Sequence, residues 1–167
     1  SRRLVAAEGG VELTVAVPDS ADPLVAVTEG MNVRLDVLGI VPVGGSEGHH
    51  AVLEVTQGDI ETAREDLSAA GADVNVIQGD EGSGRLDVAV ETSMSLAPVC
   101  EREAELLRGS VTDGTAKYEL LVPSAEEART LLDRLSAAFP GTDLRAKRER
   151  DHAFETTDGL PQSTSTT

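Results

Sequence analysis

Hydrophobic and polar positions alternate in two matched runs, ELTVAV at 12–17 and RLDVAV at 85–90, where Leu13, Val15 and Val17 answer to Leu86, Val88 and Val90 at an offset of 73 residues. A period of two marks strands with one buried face. Ser20-Ala21-Asp22-Pro23 follows the first run, and Ser93 and Ser95 follow the second. Short side chains with an oxygen accept an orphan N–H of a first helical turn, and proline is tolerated at its start. Short helices are predicted over Leu24–Val27 and Leu96–Cys100. Val33–Val43 and Glu103–Val111 have extended character and lead through glycine turns, Gly44 to Gly48 and Asp113-Gly114, into hairpins.

The second half of the pattern is clearest between Gly114 and Asp151. Ser124 and Glu127 have the spacing of a capping box, after which Ala128, Leu131, Leu132, Leu135 and Phe139 fall on one helical face until Pro140-Gly141. Tyr118–Val122 and Leu144–Arg150 read as flanking strands. Thr56, Asp59, Ala63 and Leu67 repeat Ser124, Glu127, Leu131 and Leu135 at an offset of 68, so Thr56 is the expected second cap. Val74 and Val76 match Leu144 and Ala146 at an offset of 70. The expected fold class is α+β: tandem duplicated βαββαβ, or ferredoxin-like, units, with antiparallel sheets and helices on one face. Expected boundaries are 1–10 for the end of a preceding helix or linker, 11–79 for the first unit and 80–84 for the joint. The second unit takes 85–151, and 152–167 forms a flexible linker.

Composition changes the picture in two ways. The net charge of −16, from 30 acidic and 14 basic residues with only Lys117 and Lys147 as lysines, resembles a halophilic surface, where concentrated salt screens self-repulsion. Most of such a surface repels nucleic acid, whose affinity for proteins rests on phosphate contacts. Three aromatic residues, Tyr118, Phe139 and Phe154, provide no stacking platform for single strands. No apolar run reaches the ~20 residues of a membrane span, so no membrane association is expected and the cytoplasm is the expected compartment. The chain begins at Ser1 and ends in a polar tail, and is expected to be cut from a longer protein.

Candidate chemistry is sparse. His49-His50 sits at a turn entering a strand, where consecutive rings point to opposite faces and a solvated turn is the expected role. His152 has no Cys or His at ligand spacing. Cys100, the single cysteine, aligns with Val27 and is read as a small core residue. Neither a phosphate loop, a serine elbow nor a metalloprotease helix occurs. No catalytic, metal or cofactor-binding residues are expected, and the chain is not read as an enzyme. Arg145, Lys147, Arg148 and Arg150 form the one basic cluster and are candidates for contact with a DNA-binding module or with phosphates.

RAKRERD at 145–151, the preceding YELLVPSAEEARTLLDRLSAAFPGTDL and the opening RRLVAAEGGVELTV resemble haloarchaeal bacterio-opsin activator-like transcriptional regulators. The likeness covers essentially the whole chain. It implies a non-catalytic module between upstream sensory domains and a C-terminal helix-turn-helix, with DNA contacted only through that absent element. A homodimer and an unidentified small ligand are the other partners considered. The alternative function is an amino-acid-sensor type of ferredoxin-like domain, with a small molecule held between the repeats.

Overall fold

The alternating runs become strands in the computed structural model, which describes residues 10–30, 32–45, 48–80 and 83–150. Expectations for residues 1–9 and 151–167 lie outside the described residues. The strands are β1 (Val11–Val17), β2 (Arg34–Pro42), β3 (His49–Gln57), β4 (Val74–Asp80), β5 (Ser83–Ala89), β6 (Glu105–Thr112), β7 (Thr115–Val122) and β8 (Asp143–Glu149). The helices are α1 (Pro23–Ala26), α2 (Ile60–Ala69), α3 (Leu96–Glu101) and α4 (Ala125–Ala138). The order β-α-β-β-α-β therefore occurs twice.

All eight strands join one antiparallel sheet in the order β4-β5-β3-β2-β6-β7-β1-β8. The two halves therefore share one sheet: β2 and β6 pair across the middle, from Arg34 with Thr112 to Val37 with Gly109. The first strand of each half also lies among strands of the other half. β1 runs between β7 and β8, while β5 runs between β3 and β4. The cause is the short connection before β5. Asp80 pairs with Ser83, so two residues separate β4 from β5 and a hairpin is the only antiparallel solution. β5 thereby takes the position beside β4, and β1 fills the matching position beside β8.

The core lies on one face. Leu13 and Val15 on β1, Leu35 on β2, Leu53 on β3, Leu86 on β5 and Leu120 on β7 are fully buried against the helices. Helix α4 contributes Ala128, Leu131 and Leu135, with Phe139 just beyond its end, as its periodicity predicts. Asp22 caps α1 with Pro23 at its first position.

Two capping expectations need correction. Thr56 lies within β3, and α2 is capped by Asp59, whose carboxylate accepts the Thr62 N–H at 3.0 Å. Gly58, at φ +102°, makes the turn between them, and a Cβ there would lie 2.8 Å from the Asn32 carbonyl oxygen. Ser124 does cap α4, accepting the Glu127 N–H at 3.1 Å. The Glu127 side chain, however, takes two hydrogen bonds from Arg102 Nη2, at 3.0 and 3.1 Å, so the reciprocal arm of the box is diverted to an ion pair.

Candidate functional site

The first polar centre lies where the two halves meet on the helix side of the sheet. Asp22 and Ser95, the residues preceding α1 and α3, are 73 positions apart, the offset that relates the matched strands. Both are fully buried. Asp22 Oδ1 accepts the Leu24 N–H at 2.9 Å, closing the cap of α1. Oδ2 accepts the Ser95 N–H at 2.8 Å and the Ser95 hydroxyl at 2.6 Å. Ser95 Oγ is also 2.6 Å from the phenol oxygen of Tyr118 on β7. Ser95 makes no side-chain cap for its own helix, because its hydroxyl is committed across the boundary.

Burial shapes the electrostatics of this centre. Desolvation pushes the Asp22 carboxyl above its ordinary value of 3.8, against the opposing effect of the Ser95 hydrogen bonds. Tyr118 is raised as well, first by burial and then by the Asp22 charge, so it stays a neutral phenol. Nearby, the Gly114 N–H of the β6–β7 turn donates to Thr28 Oγ1 at 2.9 Å, which ties that turn to the end of α1.

The second centre is the place where the chain comes in and leaves. The Arg150 N–H donates to the Gly10 carbonyl at 2.9 Å, so the flanks of β1 and β8 run side by side. Glu12 on β1 accepts from Arg148 Nη2 through Oε1 and from Arg150 Nε through Oε2, both at 2.7 Å. The Arg150 hydrogen bond, helped by Arg148, holds Glu12 below the usual carboxylate range. Beside this clamp a cleft of about 240 Å³ is lined by Gly10, Val11, Pro123, Ser124, Ala125, Glu149 and Arg150.

The four basic residues singled out by sequence all lie on or next to β8, a sheet edge exposed along its whole length. Only Arg148 and Arg150 converge, on Glu12. A register shift opposite Thr14 and Val15 pairs Thr14 with Ala146 and Val15 with Leu144, leaving Arg145 in the irregularity. Arg145 Nε bonds Asp143 at 2.7 Å, while Arg148 and Arg150 hold Glu12. Lys147 faces the helix side beyond the core, paired in register with Leu13.

The remaining candidates are modest. His50 Nδ1 contacts Asp87 at 2.8 Å on the neighbouring strand, an ion-pair geometry that the turn expectation missed. Cys100 is half-buried, and burial together with the Glu101 charge pushes its thiol up to about 11, away from thiolate chemistry. Among the described residues no group of three or more His, Cys, Asp or Glu side chains could hold a metal ion. The Asp22–Ser95 contact was within reach of sequence, since the repeat offset equates the two positions. What was lacking was the knowledge that equivalent residues meet.

No curated protein matches the chain. A family profile described as "BAT: GAF and HTH_10 associated domain" matches residues 9–160. Among the described residues no helix is long and apolar enough to cross a membrane. With the profile covering nearly the full length, the chain belongs to the BAT family, the GAF- and HTH_10-associated regulatory domain found in bacterio-opsin activator-type transcriptional regulators.

Proposed function

We propose that the chain is a non-catalytic coupling module, which passes the state of upstream sensory domains to a C-terminal DNA-binding helix-turn-helix. The observation that carries this reading is the junction of β1 and β8: Gly10 and Arg150 share a backbone hydrogen bond, and Glu12 is held by both Arg148 and Arg150. A domain whose two flanks are bonded to each other moves one when the other moves, without any signal crossing its core. Coupling requires two arrangements of different energy, and an edge strand that is held by a few exposed bonds can supply them. Arg145 and Lys147, exposed on the same edge, are the candidates for contact with the DNA-binding part.

The two halves are read as copies of a ferredoxin-like βαββαβ unit, 11–79 and 85–151, that have exchanged their first strands. The matched offsets, the repeated element order and the meeting of Asp22 with Ser95 support this. The charge of −16 supports a cytoplasmic protein of a halophilic archaeon. The sensor reading, with a small molecule between the repeats, has less support, because Asp22, Ser95 and Tyr118 occupy that boundary with hydrogen-bonded side chains.

The test uses a full-length regulator with its sensory and helix-turn-helix domains in place. Glu12→Lys, which repels both arginines, should leave DNA affinity intact while flattening the response of a reporter promoter to the inducing condition. An unchanged response, in a variant that is folded and abundant, refutes the coupling role of this junction.

A further inference from the structure

The sheet has a second face, opposite the helices, on which no described helix packs; it is exposed or half-buried around Lys117, Ser110, Asp36, Glu54 and Arg85, and buried at Leu121, which pairs in register with Glu12 and Glu105. We propose that this open face is the surface through which two copies of the chain associate, back to back. Its charge distinguishes it from the rest of the molecule. By register it carries Arg34, Arg85, Arg108, Lys117 and Arg148 against Glu12, Asp36, Glu54, Asp87, Glu105 and Glu119, near balance in a chain of net charge −16. The rest of the chain carries −15 of the −16, so on average contact between two other surfaces sets like charge against like, which costs affinity and association rate.

The pattern within the face is self-complementary. One rung across five strands reads Lys117, Ser110, Asp36, Glu54, Arg85. A two-fold axis along β6 places Ser110 against its own copy and Lys117 of each chain against Asp36 of the other. Among the described residues neither Lys117 nor Arg85 forms an ion pair within its own chain. Leu107, on β6 at a register shift and 41% exposed, would meet itself on the same axis. Leu38, 48% exposed, lies one strand away on β2, next to the half-buried Val52 paired with Gly39 on β3.

The area suffices. About the β6 axis three strands overlap on each side, and seven strands spaced ~4.8 Å apart, with a rise of ~3.3 Å per residue over about six residues, give a face of roughly 650 Å², at the lower end of the roughly 600–1,000 Å² per partner of a standard interface. The proposal stands apart from the coupling reading, since neither the Gly10–Arg150 bond nor Glu12's clamp has to change for it.

Sedimentation equilibrium of the 167-residue chain at ~0.1 mM should give about twice its 17.4 kDa mass. Leu107→Asp and Lys117→Glu should each weaken association about tenfold or more, with far-UV circular dichroism and thermal midpoint retained. Ile77→Asp, on the β4 edge, should leave it unchanged. A monomer at that concentration overturns the proposal. So does a dimer abolished by Ile77→Asp and indifferent to Leu107→Asp, which would place the contact at the sheet edge.

Discussion

Replacing Asp22 by Asn tests whether the polar centre holds the two halves together. The carboxylate accepts three hydrogen bonds, from Leu24 N–H, Ser95 N–H and Ser95 O–H. In Asp22→Asn the amide oxygen can keep the Leu24 bond, but the NH2 group then faces the Ser95 N–H, donor against donor. A buried donor left without a partner costs about 1–3 kcal/mol, and losing the charge on the remaining cap bond costs about 1 kcal/mol more. Relief of the carboxylate's desolvation returns part of this, so the net loss expected at neutral pH is about 2 kcal/mol. With an m-value of ~2 kcal/mol/M for a domain this size, the urea midpoint should fall by about 1 M.

The pH dependence has a definite sign. Because the folded Asp22 pKa lies above its ordinary value of 3.8, the folded state takes up a proton first as pH falls. Asp22 therefore adds stability as pH drops through its raised folded pKa, an increment complete below 3.8 and absent above the folded value. Asp22→Asn lacks that increment, so its deficit relative to wild type should widen on acidification. Urea titrations at constant salt between pH 7 and pH 4 measure it. A variant within about 0.5 kcal/mol of wild type at every pH would refute the argument, since that is the scale of an ordinary surface substitution.

Glu12→Gln should cost about 1 kcal/mol at neutral pH, because Glu12 is partly exposed and so are its arginines. Its pKa is depressed when folded, so the wild-type advantage is present above 4.5 and disappears as pH falls through the folded value; equal stabilities at neutral pH would contradict it. Gly84→Ala would set a Cβ 2.1 Å from Ile60 Cδ1 and 3.0 Å from Ile60 Cβ, so a loss of about 1–3 kcal/mol is expected. Ile60→Ala in the same chain should recover part of it, and simple additivity in the double-mutant cycle would show that the two do not meet. Deleting residues through Val17 should expose amides of β7 and β8 to rapid hydrogen exchange while β3 and β5 stay protected. Loss of protection in the first half instead would mean that β1 does not belong between β7 and β8.

The succession of strands and helices was legible because each element carries its own period, as in Leu13-Val15-Val17 or Leu131-Leu135. The order of strands in the sheet was not. β1 and β5 share the alternation of Leu13-Val15 and Leu86-Val88, continued by Val17 within β1 and by Val90 just past β5, so local pattern fits either beside β3 or β7. Local pattern cannot distinguish two interchangeable strands. The length of the connection between Asp80 and Ser83 decides, and it reads as a linker only until counted as a hairpin turn. The basic cluster around Arg148 was visible as composition, whereas its engagement by Glu12, 136 residues earlier, depends on β1 lying beside β8.

The pairing of β1 with β8 also fixes how the domain answers to mechanical force. The two strands are antiparallel neighbours, from Val11 with Glu149 to Ala16 with Asp143, and Gly10 and Arg150 lie together at one end. Tension that separates those two residues loads the ladder one rung at a time, as a zipper opens, and never stresses all the rungs together in shear. β8 is exposed along its length, so little apolar burial resists the opening. The edge therefore yields gradually while the other seven strands keep their register, and the junction acts as a compliant spring seated on a stiff plate.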